Sequence, residues 1–179
     1  MANRQALRDL QTRLAERLQA ARTNASQGAS WLAVQIGSRN YLLPLEQSGE
    51  IFAWSGVQRV PYAQPWFWGI ANLRGNLLGI IDLSAYLGHA VERTEQSLHE
   101  VSLLSINSAL QVNAALVVDR LMGLRGANDF VPAQGKEEAW TQQETEVLGN
   151  RYTDKAGEVW NVLHLQQLVQ STQFLSIRI

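Results

Sequence analysis

The spacing of hydrophobic positions changes at about residue 30 of this 179-residue chain. Before that point, between about residues 3 and 22, leucines recur every three or four positions, which predicts an amphipathic helix. The stripe consists of Leu7, Leu10, Leu14 and Leu18. Such a seam is buried against its own domain, against a partner helix or against a second copy, and the sequence leaves these alternatives open. Residues 23–30, rich in Ser, Ala, Gly and Asn, follow as a linker.

After the linker, short apolar runs separated by turn residues predict β-strands. Residues 31–36 and 41–43 flank a Gly-Ser-Arg-Asn turn and predict a hairpin, with Pro44 at the end of its second strand. Further strands are predicted at 50–54, 77–81, 101–106, 112–118, 158–163 and 174–177. Residues 123–126 predict a turn, and residues 127–146 predict a long surface excursion anchored by Trp140.

Two short helices are predicted directly after strands. Asp82 precedes the first, at 83–87, and we interpret it as the cap that accepts from the first backbone amides, with Gly88 as the stop. Residues 164–169 predict the second helix. The recurrence of strand, polar residue and helix is a weak internal repeat, and it predicts two similar lobes at about 31–95 and 96–179. Many short strands with only short helices favour a mainly β fold, a barrel or a sandwich, over a parallel sheet.

Composition excludes several classes of function. Hydrophobic residues make up 46% and charged residues 17%, a globular balance, and a formal net charge of -1 argues against nucleic acid as a partner. The absence of cysteine excludes disulfides, thiolate metal sites and cysteine nucleophiles. No run approaches the roughly 20 apolar residues of a membrane-spanning helix, so we expect a cytoplasmic protein without membrane insertion.

The sequence shows no motif for catalysis or for a cofactor. Gly135-Lys136 lacks the glycine spacing and the following Ser or Thr of a phosphate-binding loop, and no dinucleotide fingerprint or nucleophile elbow occurs. His89, His99 and His164 are not spaced as metal ligands. Residues 89–99 are polar and charged and predict an exposed connection, so we expect solvated loop positions for His89 and His99 and a helix start for His164. We interpret Glu137-Glu138 as a solvated pair. We therefore expect no catalytic residue, no cofactor and no metal.

The most informative stretch runs from Pro65 to Leu83. Its aromatics Trp66, Phe67 and Trp68 supply a large apolar area of the kind that anchors interfaces, although we expect at least one of them to face the core. A compact Asn-Leu-Arg-Gly turn follows and carries Arg74. The Arg74 guanidinium either satisfies carbonyl groups of its own fold or faces a partner.

Residues 69–75, Gly-Ile-Ala-Asn-Leu-Arg-Gly, together with Ile-Ile-Asp-Leu at 80–83, resemble the signature of the CheW-like chemotaxis coupling proteins. Residues 48–51 and 60–62 fit the same pattern, and the chain looks closest to the members that serve twitching motility. The resemblance covers about 31–179. It implies two small five-stranded β-barrel lobes, SH3-like in shape, packed on a common core.

By this resemblance the chain is a non-catalytic adaptor. It would join a methyl-accepting chemoreceptor to a CheA-type histidine kinase in a pathway that controls type IV pili. The receptor-contacting arginine of the family falls on Arg74, in a turn that Asn72, Leu73 and Gly75 would shape.

The kinase-contacting Glu-Ile pair of the family falls on Glu50 and Ile51. In the family, an apolar residue and Gln often precede this pair, whereas this chain has Ser48-Gly49. The departure leaves the detailed structure of the kinase contact open.

The alternative is a stand-alone β-barrel that binds a small molecule or peptide. Its aromatic mouth would be formed by Trp66 and Trp68. Tryptophan fluorescence, titrated with ultrafiltered fractions of cell extract, would distinguish the two hypotheses. A small ligand passes the ultrafiltration membrane and would still change the fluorescence, whereas a protein partner is held back.

Overall fold

The computed structural model describes residues 29–89, 91–134 and 140–179. These residues form a mainly β fold with two sheets and short helices, as the sequence predicted. The strands are β1 (Ala29–Ile36), β2 (Arg39–Pro44), β3 (Ser48–Ala53), β4 (Phe67–Leu73), β5 (Asn76–Ile81), β6 (Ser102–Ile106), β7 (Ala114–Val118), β8 (Arg120–Gly126), β9 (Phe130–Pro132), β10 (Leu148–Asp154) and β11 (Val159–Leu163). The helices are α1 (Leu83–Tyr86), α2 (Glu95–Leu98), α3 (Gln142–Val147), α4 (Leu165–Gln170) and α5 (Thr172–Leu175), with 3-10 turns at Ser108–Leu110 and Ala127–Asp129. The predicted N-terminal helix with its leucine seam, and Glu137-Glu138, lie outside the described residues.

The two sheets share one pattern of strand pairing. The strand order is β8-β1-β2-β11-β10-β9 in one and β3-β6-β7-β5-β4 in the other. Neighbours are antiparallel except for one parallel pair in each sheet, β2 with β11 and β5 with β7. β5 and β11, each followed directly by a short helix, therefore hold equivalent places, which explains the internal repeat in the sequence. The first sheet differs from the five-stranded lobe that the resemblance implied by its added edge strand, β9.

The sheets are not divided at the expected lobe boundary near residue 95. One continuous stretch, from β3 to β7, supplies all five strands of the smaller sheet. The six-stranded sheet combines β1 and β2 with β8 to β11. The expected boundary near residue 95 coincides with α2, which connects β5 and β6 of the same sheet. The six-stranded sheet contains the first and last strands of the described chain, because β11 pairs in parallel with β2 of the first hairpin.

Alternation along the strands directs side chains into three buried clusters within the described residues. The largest cluster, here called the shared cluster, takes Leu32 from the six-stranded sheet and Leu116 from the five-stranded sheet. Val117, the next residue along β7, instead joins a cluster drawn from the five-stranded sheet. Trp160 lies in a third cluster, drawn from the six-stranded sheet. Neighbouring positions on one strand thus point into two different buried clusters. Both faces of such a strand are apolar, so its sequence is a nearly continuous apolar run.

Local signals predicted several elements correctly. The hairpin is confirmed as β1 and β2, and Pro44 is the last residue of β2. Asp82 caps α1 by accepting a hydrogen bond from the Ala85 N–H at 3.3 Å. Gly88 follows the helix with φ of +85°, a conformation that glycine adopts without a steric penalty.

Two predicted elements were wrong. Residues 123–126, predicted as a turn, belong to β8, where Gly123 lies at a register shift in the pairing with β1. Residues 174–177, predicted as a strand, begin inside α5, because Phe174 is buried in the shared cluster. Only the last residues are extended, where Arg178 forms an isolated bridge with Ala63. The predicted surface excursion contains β9 and α3, and Trp140 packs against the shared cluster.

Candidate functional site

The turn between β4 and β5 holds Arg74 in a defined backbone conformation. Leu73 pairs with Asn76, so the loop has two residues. These are Arg74 and Gly75, with φ of +52° and +88°. Positive φ at both positions matches the twist of a hairpin but is uncommon for a residue other than glycine. The Gly75 N–H donates to Asn72 Oδ1 at 2.8 Å and closes the turn.

The four residues expected at the receptor contact divide into an exposed tip and a buried support. The Arg74 side chain is 75% exposed, and Asn72 and Gly75 are exposed beside it. Leu73 is buried in the cluster of the five-stranded sheet. Leu73 therefore anchors the turn from inside, as expected of a residue that shapes it, and its side chain offers no surface to a partner.

Glu50 lies directly against Arg74. The Arg74 Nη1 donates to Glu50 Oε2 at 2.9 Å, and the Glu50 side chain is 64% exposed. The Arg74 guanidinium carbon also lies 5.4 Å from the centre of the Phe52 ring. An exposed ion pair contributes about 0–1 kcal/mol to stability, so this pair orders the surface more than it stabilises the fold. The fold thus brings the residues expected at the receptor and kinase contacts together on one surface.

Ile51, the second residue of the expected kinase pair, is half-buried. It packs against the shared cluster, whereas the next residue, Phe52, packs against the cluster of the five-stranded sheet. Ile51 therefore contributes to the packing of its own fold. Glu50 is the member of the pair that presents a charged group to solvent.

The three consecutive aromatics turn inward to different degrees. Trp66 is 4% exposed and lies in the shared cluster, which confirms that at least one of the three faces the core. Phe67 and Trp68 are half-buried against the two clusters next to them. The aromatic mouth of the alternative hypothesis is therefore wrong at Trp66, because that side chain is enclosed by its own fold.

A buried ion network includes Arg93, which the sequence placed in an exposed polar connection. The Arg93 side chain is 4% exposed; it donates to Asp82 Oδ2 at 2.8 Å and to both carboxylate oxygens of Asp119 at 2.8 Å. Its guanidinium carbon lies 5.5 Å from the centre of the Trp68 ring. Asp119 also accepts from the Gly37 N–H at 2.6 Å. The network ties α1 and the β7–β8 junction to the β1–β2 turn, and so joins the two sheets.

In this network, charge pairing and hydrogen bonds shift the pKa values of Arg93 and Asp119 more than burial does. Burial alone would raise the pKa of Asp119, but hydrogen bonds from Arg93 and the Gly37 N–H hold that pKa below its usual range. Burial likewise opposes the charged guanidinium, yet Asp119 and Asp82 raise the pKa of Arg93 above its ordinary value. Asp82 is thus both a helix cap and an ion-pair partner, which goes beyond the capping role inferred from the sequence.

A second buried carboxylate lies at Glu144 of α3. Its side chain is 1% exposed and accepts from Arg39, from His89 Nε2 at 3.0 Å and from the Thr141 N–H at 2.8 Å. Burial would raise the pKa of Glu144, but these donors hold it below the usual range. His89 is therefore a structural partner and not the solvated loop residue that the sequence suggested. His164 is the N-cap residue of α4, directly before the helix that the sequence predicted from this position.

Within ranges 29–89, 91–134 and 140–179, His, Asp and Glu side chains form no group of three or more that is placed to hold a metal ion. In the same part of the chain, no helix has the length and apolar character needed to cross a membrane.

Comparison with known proteins gives consistent matches. Residues 30–173 match the model of the CheW-like domain. The chain is 33% identical over 106 residues to Protein PilI of Pseudomonas aeruginosa, a match that covers 59% of this chain and 57% of PilI. It is 28% identical over 111 residues to Chemotaxis protein CheW of Rhizobium meliloti, covering 62% of this chain and 68% of that protein. The matched segment thus spans less than two thirds of PilI.

A solved structure shows the same fold. The scaffolding protein TtCheW from Thermoanaerobacter tengcongensis superimposes with a TM-score of 0.62 over 82% of this chain and 96% of that one. The sequence identity is 16%, so this likeness concerns the fold alone.

Proposed function

This chain belongs to the CheW-like domain family, and on that premise we propose that it is a non-catalytic adaptor between a methyl-accepting chemoreceptor and a CheA-type histidine kinase. The similarity to PilI favours a cytoplasmic pathway that controls type IV pili and twitching motility. The adaptor domain, predicted at 31–179, would begin with β1 at Ala29, and the predicted N-terminal helix and the rest of the linker would precede it. An adaptor of this kind acts by holding two partners in one geometry and shifting the population of kinase states.

The observation that supports the proposal best is the exposed Arg74 on its hydrogen-bonded two-residue turn. The turn sets the backbone of Arg74 at a positive φ, and Glu50 accepts a hydrogen bond from its guanidinium. The donors are therefore oriented before a partner arrives, so less conformational entropy is lost on binding. Glu50 offers a carboxylate on the same surface. Both charged groups are exposed, so each is accessible to a protein partner.

Arg74→Ala is expected to weaken receptor binding roughly tenfold to a hundredfold, because a hydrogen bond to a charged group contributes about 1.5–3 kcal/mol at a desolvated contact. The thermal transition should barely move, since the side chain is exposed and its ion pair is weak. Isothermal titration calorimetry with the cytoplasmic signalling domain of the cognate receptor measures the first effect, and differential scanning calorimetry measures the second.

The matched control is Arg59→Ala, which removes another exposed arginine, from the stretch between β3 and β4. This control should change receptor affinity by less than about threefold, as expected for a charge outside the contact. If Arg74→Ala unfolds the domain and its binding follows its stability, Arg74 is structural and the assignment of the receptor contact is wrong.

Glu50→Gln should reduce kinase affinity by about tenfold or more while it preserves the shape of the side chain. Receptor affinity should change by less than about fivefold, because the exposed pair with Arg74 is worth at most about 1 kcal/mol. Titration of each partner separately measures the two effects.

Glu46→Gln, a change at an exposed carboxylate just before β3, is the control for charge and should leave both affinities unchanged. Ile51 is left intact in this test because it packs against the shared cluster. Equal losses of kinase and receptor binding in Glu50→Gln would refute the division of this surface into two contacts.

A further inference from the structure

β3 contains a bulge at the residue expected to contact the kinase. In the pairing of β3 with β6, Ser48 lies opposite Ile106 and Ile51 lies opposite Leu104. Two residues of β3, Gly49 and Glu50, therefore face the single residue Ser105 on β6. Bulges of this kind interrupt the regular ladder and redirect a side chain, and they are frequent next to functional sites.

At this bulge, the Ser105 side chain takes over backbone hydrogen bonds of Glu50. The Glu50 N–H donates to Ser105 Oγ at 2.7 Å, and the Ser105 hydroxyl lies 3.2 Å from the Glu50 carbonyl, to which it donates. One hydroxyl thus holds both polar groups of the Glu50 backbone. The backbone sets the direction of the Cα–Cβ bond. By holding the Glu50 backbone, the Ser105 hydroxyl therefore also sets the direction in which the Glu50 side chain leaves the strand.

Gly49 makes this arrangement possible. A Cβ at position 49 would lie 2.3 Å from Ser105 Oγ and 2.8 Å from the Ser105 carbonyl oxygen, so a larger residue would displace the hydroxyl. The Ser48-Gly49 departure from the family pattern therefore has a physical reason: Gly49 leaves room for Ser105 to approach the backbone of Glu50. Ser48 itself is buried and donates through its hydroxyl to the Pro44 carbonyl at 3.1 Å.

We infer that Ser105 is a positioning residue, which directs the Glu50 carboxylate toward Arg74 and so determines the geometry of the kinase contact. The inference rests on the proposed function for its consequence, but the positioning itself is a property of the free protein. The Glu50 carboxylate that the bulge presents lies 2.9 Å from Arg74 Nη1. A change at Ser105, which contacts the backbone and not the carboxylate, should therefore act only through Glu50.

The binding test compares Ser105→Ala in two backgrounds. In the otherwise wild-type chain, Ser105→Ala should weaken kinase binding by about two- to tenfold, the range of one net hydrogen bond. In the Glu50→Gln background, it should cause no further loss beyond about twofold, because residues that act as one unit are not additive. Ser105→Thr keeps the hydroxyl and should bind as the wild type does. Ser102→Ala, the same change at the start of β6, is the control and should have no effect.

The NMR test needs no partner. The Glu50 backbone amide signal and the Arg74 guanidinium signal should both move in Ser105→Ala and stay in place in Ser102→Ala. Water can replace the lost bonds at this exposed site, so Ser105→Ala should remain folded.

The outcomes separate the inference from the proposed function. If the wild-type chain does not bind a CheA-type kinase, the proposed function fails, and the NMR signals alone decide whether Ser105 positions Glu50. If Ser105→Ala leaves those signals unchanged, or weakens kinase binding equally in both backgrounds, the positioning role is overturned even though the adaptor function stands.

Discussion

Arg93→Met is expected to lower the free energy of unfolding by about 3–5 kcal/mol, the usual cost of removing one partner from a buried ion network. Methionine preserves much of the apolar length of the side chain but removes the charge that faces Asp82 and Asp119. Both carboxylates would lose hydrogen bonds, and Asp82 would be the more buried of the two, because its side chain is 4% exposed whereas that of Asp119 is 25% exposed. Urea denaturation followed by tryptophan fluorescence measures the change.

Arg59→Met is the matched control, since the same substitution at an exposed arginine should stay within about 0.5 kcal/mol of the wild type. A loss at Arg93 no larger than that of the control would show that the network contributes nothing to stability. The shared cluster would then hold the two sheets together without help from this network.

The stability lost in Arg93→Met should also depend on pH. The pKa of Asp119 is lowered in the folded state, so its contribution is fully present above the unfolded value of about 3.9 and is lost as the pH falls through the lower folded value. Without Arg93, the carboxylate has less of this contribution to lose. The difference between wild type and variant should therefore be largest near neutral pH and should shrink below about pH 4. A difference that stays constant between pH 7 and pH 3 would contradict this account.

The elements that sequence patterns predicted correctly depend on neighbouring residues. Asp82 caps a helix that begins at the next position, and Pro44 ends a strand because it lacks a donor. The errors occur where distant contacts decide the conformation. The glycines at 123 and 126 are typical of a turn, but these residues pair with β1 and form part of the β8 strand. Phe174 has the pattern of a strand, but the Ser171 cap and packing in the shared cluster make it helical. Ser171 was the signal available in the sequence.

The candidate site was predictable in its parts and not in their arrangement. The Asn-Leu-Arg-Gly sequence predicted a compact turn that carries Arg74, and the family resemblance placed this arginine at the receptor contact. The residues alone left open whether its guanidinium faces its own fold or a partner, and the exposed two-residue loop emerged only from the pairing of β4 with β5. The pairing of Arg74 with Glu50 spans 24 positions, and the contact of Ser105 with Glu50 spans 55. No local pattern encodes such distances. Arg93 was missed for the same reason: a charged residue in a polar segment predicts exposure, and only the assembled fold surrounds it with Asp82 and Asp119.

Trp66→Ala is expected to lower the free energy of unfolding by about 3–5 kcal/mol, because it removes a large buried side chain and leaves a cavity. The Trp66 ring stacks on Phe174 of α5 with centres 5.9 Å apart and planes at 13°, and it meets the edge of Tyr86 of α1 at 5.3 Å. The indole therefore joins the start of β4 to two helices within the shared cluster. Urea denaturation followed by circular dichroism measures the loss without relying on the deleted fluorophore.

Tyr62→Ala provides the contrast, since this aromatic lies four positions earlier and is 82% exposed, and its removal should cost less than about 0.5 kcal/mol. The comparison also decides between the two hypotheses for the aromatic stretch. A residue whose role is to anchor a small ligand can be truncated with little effect on the ligand-free fold, whereas a core residue cannot. Should Trp66→Ala unfold at the same urea concentration as the wild type, Trp66 would not be a core residue, and a ligand-binding mouth would again be the better explanation of the stretch.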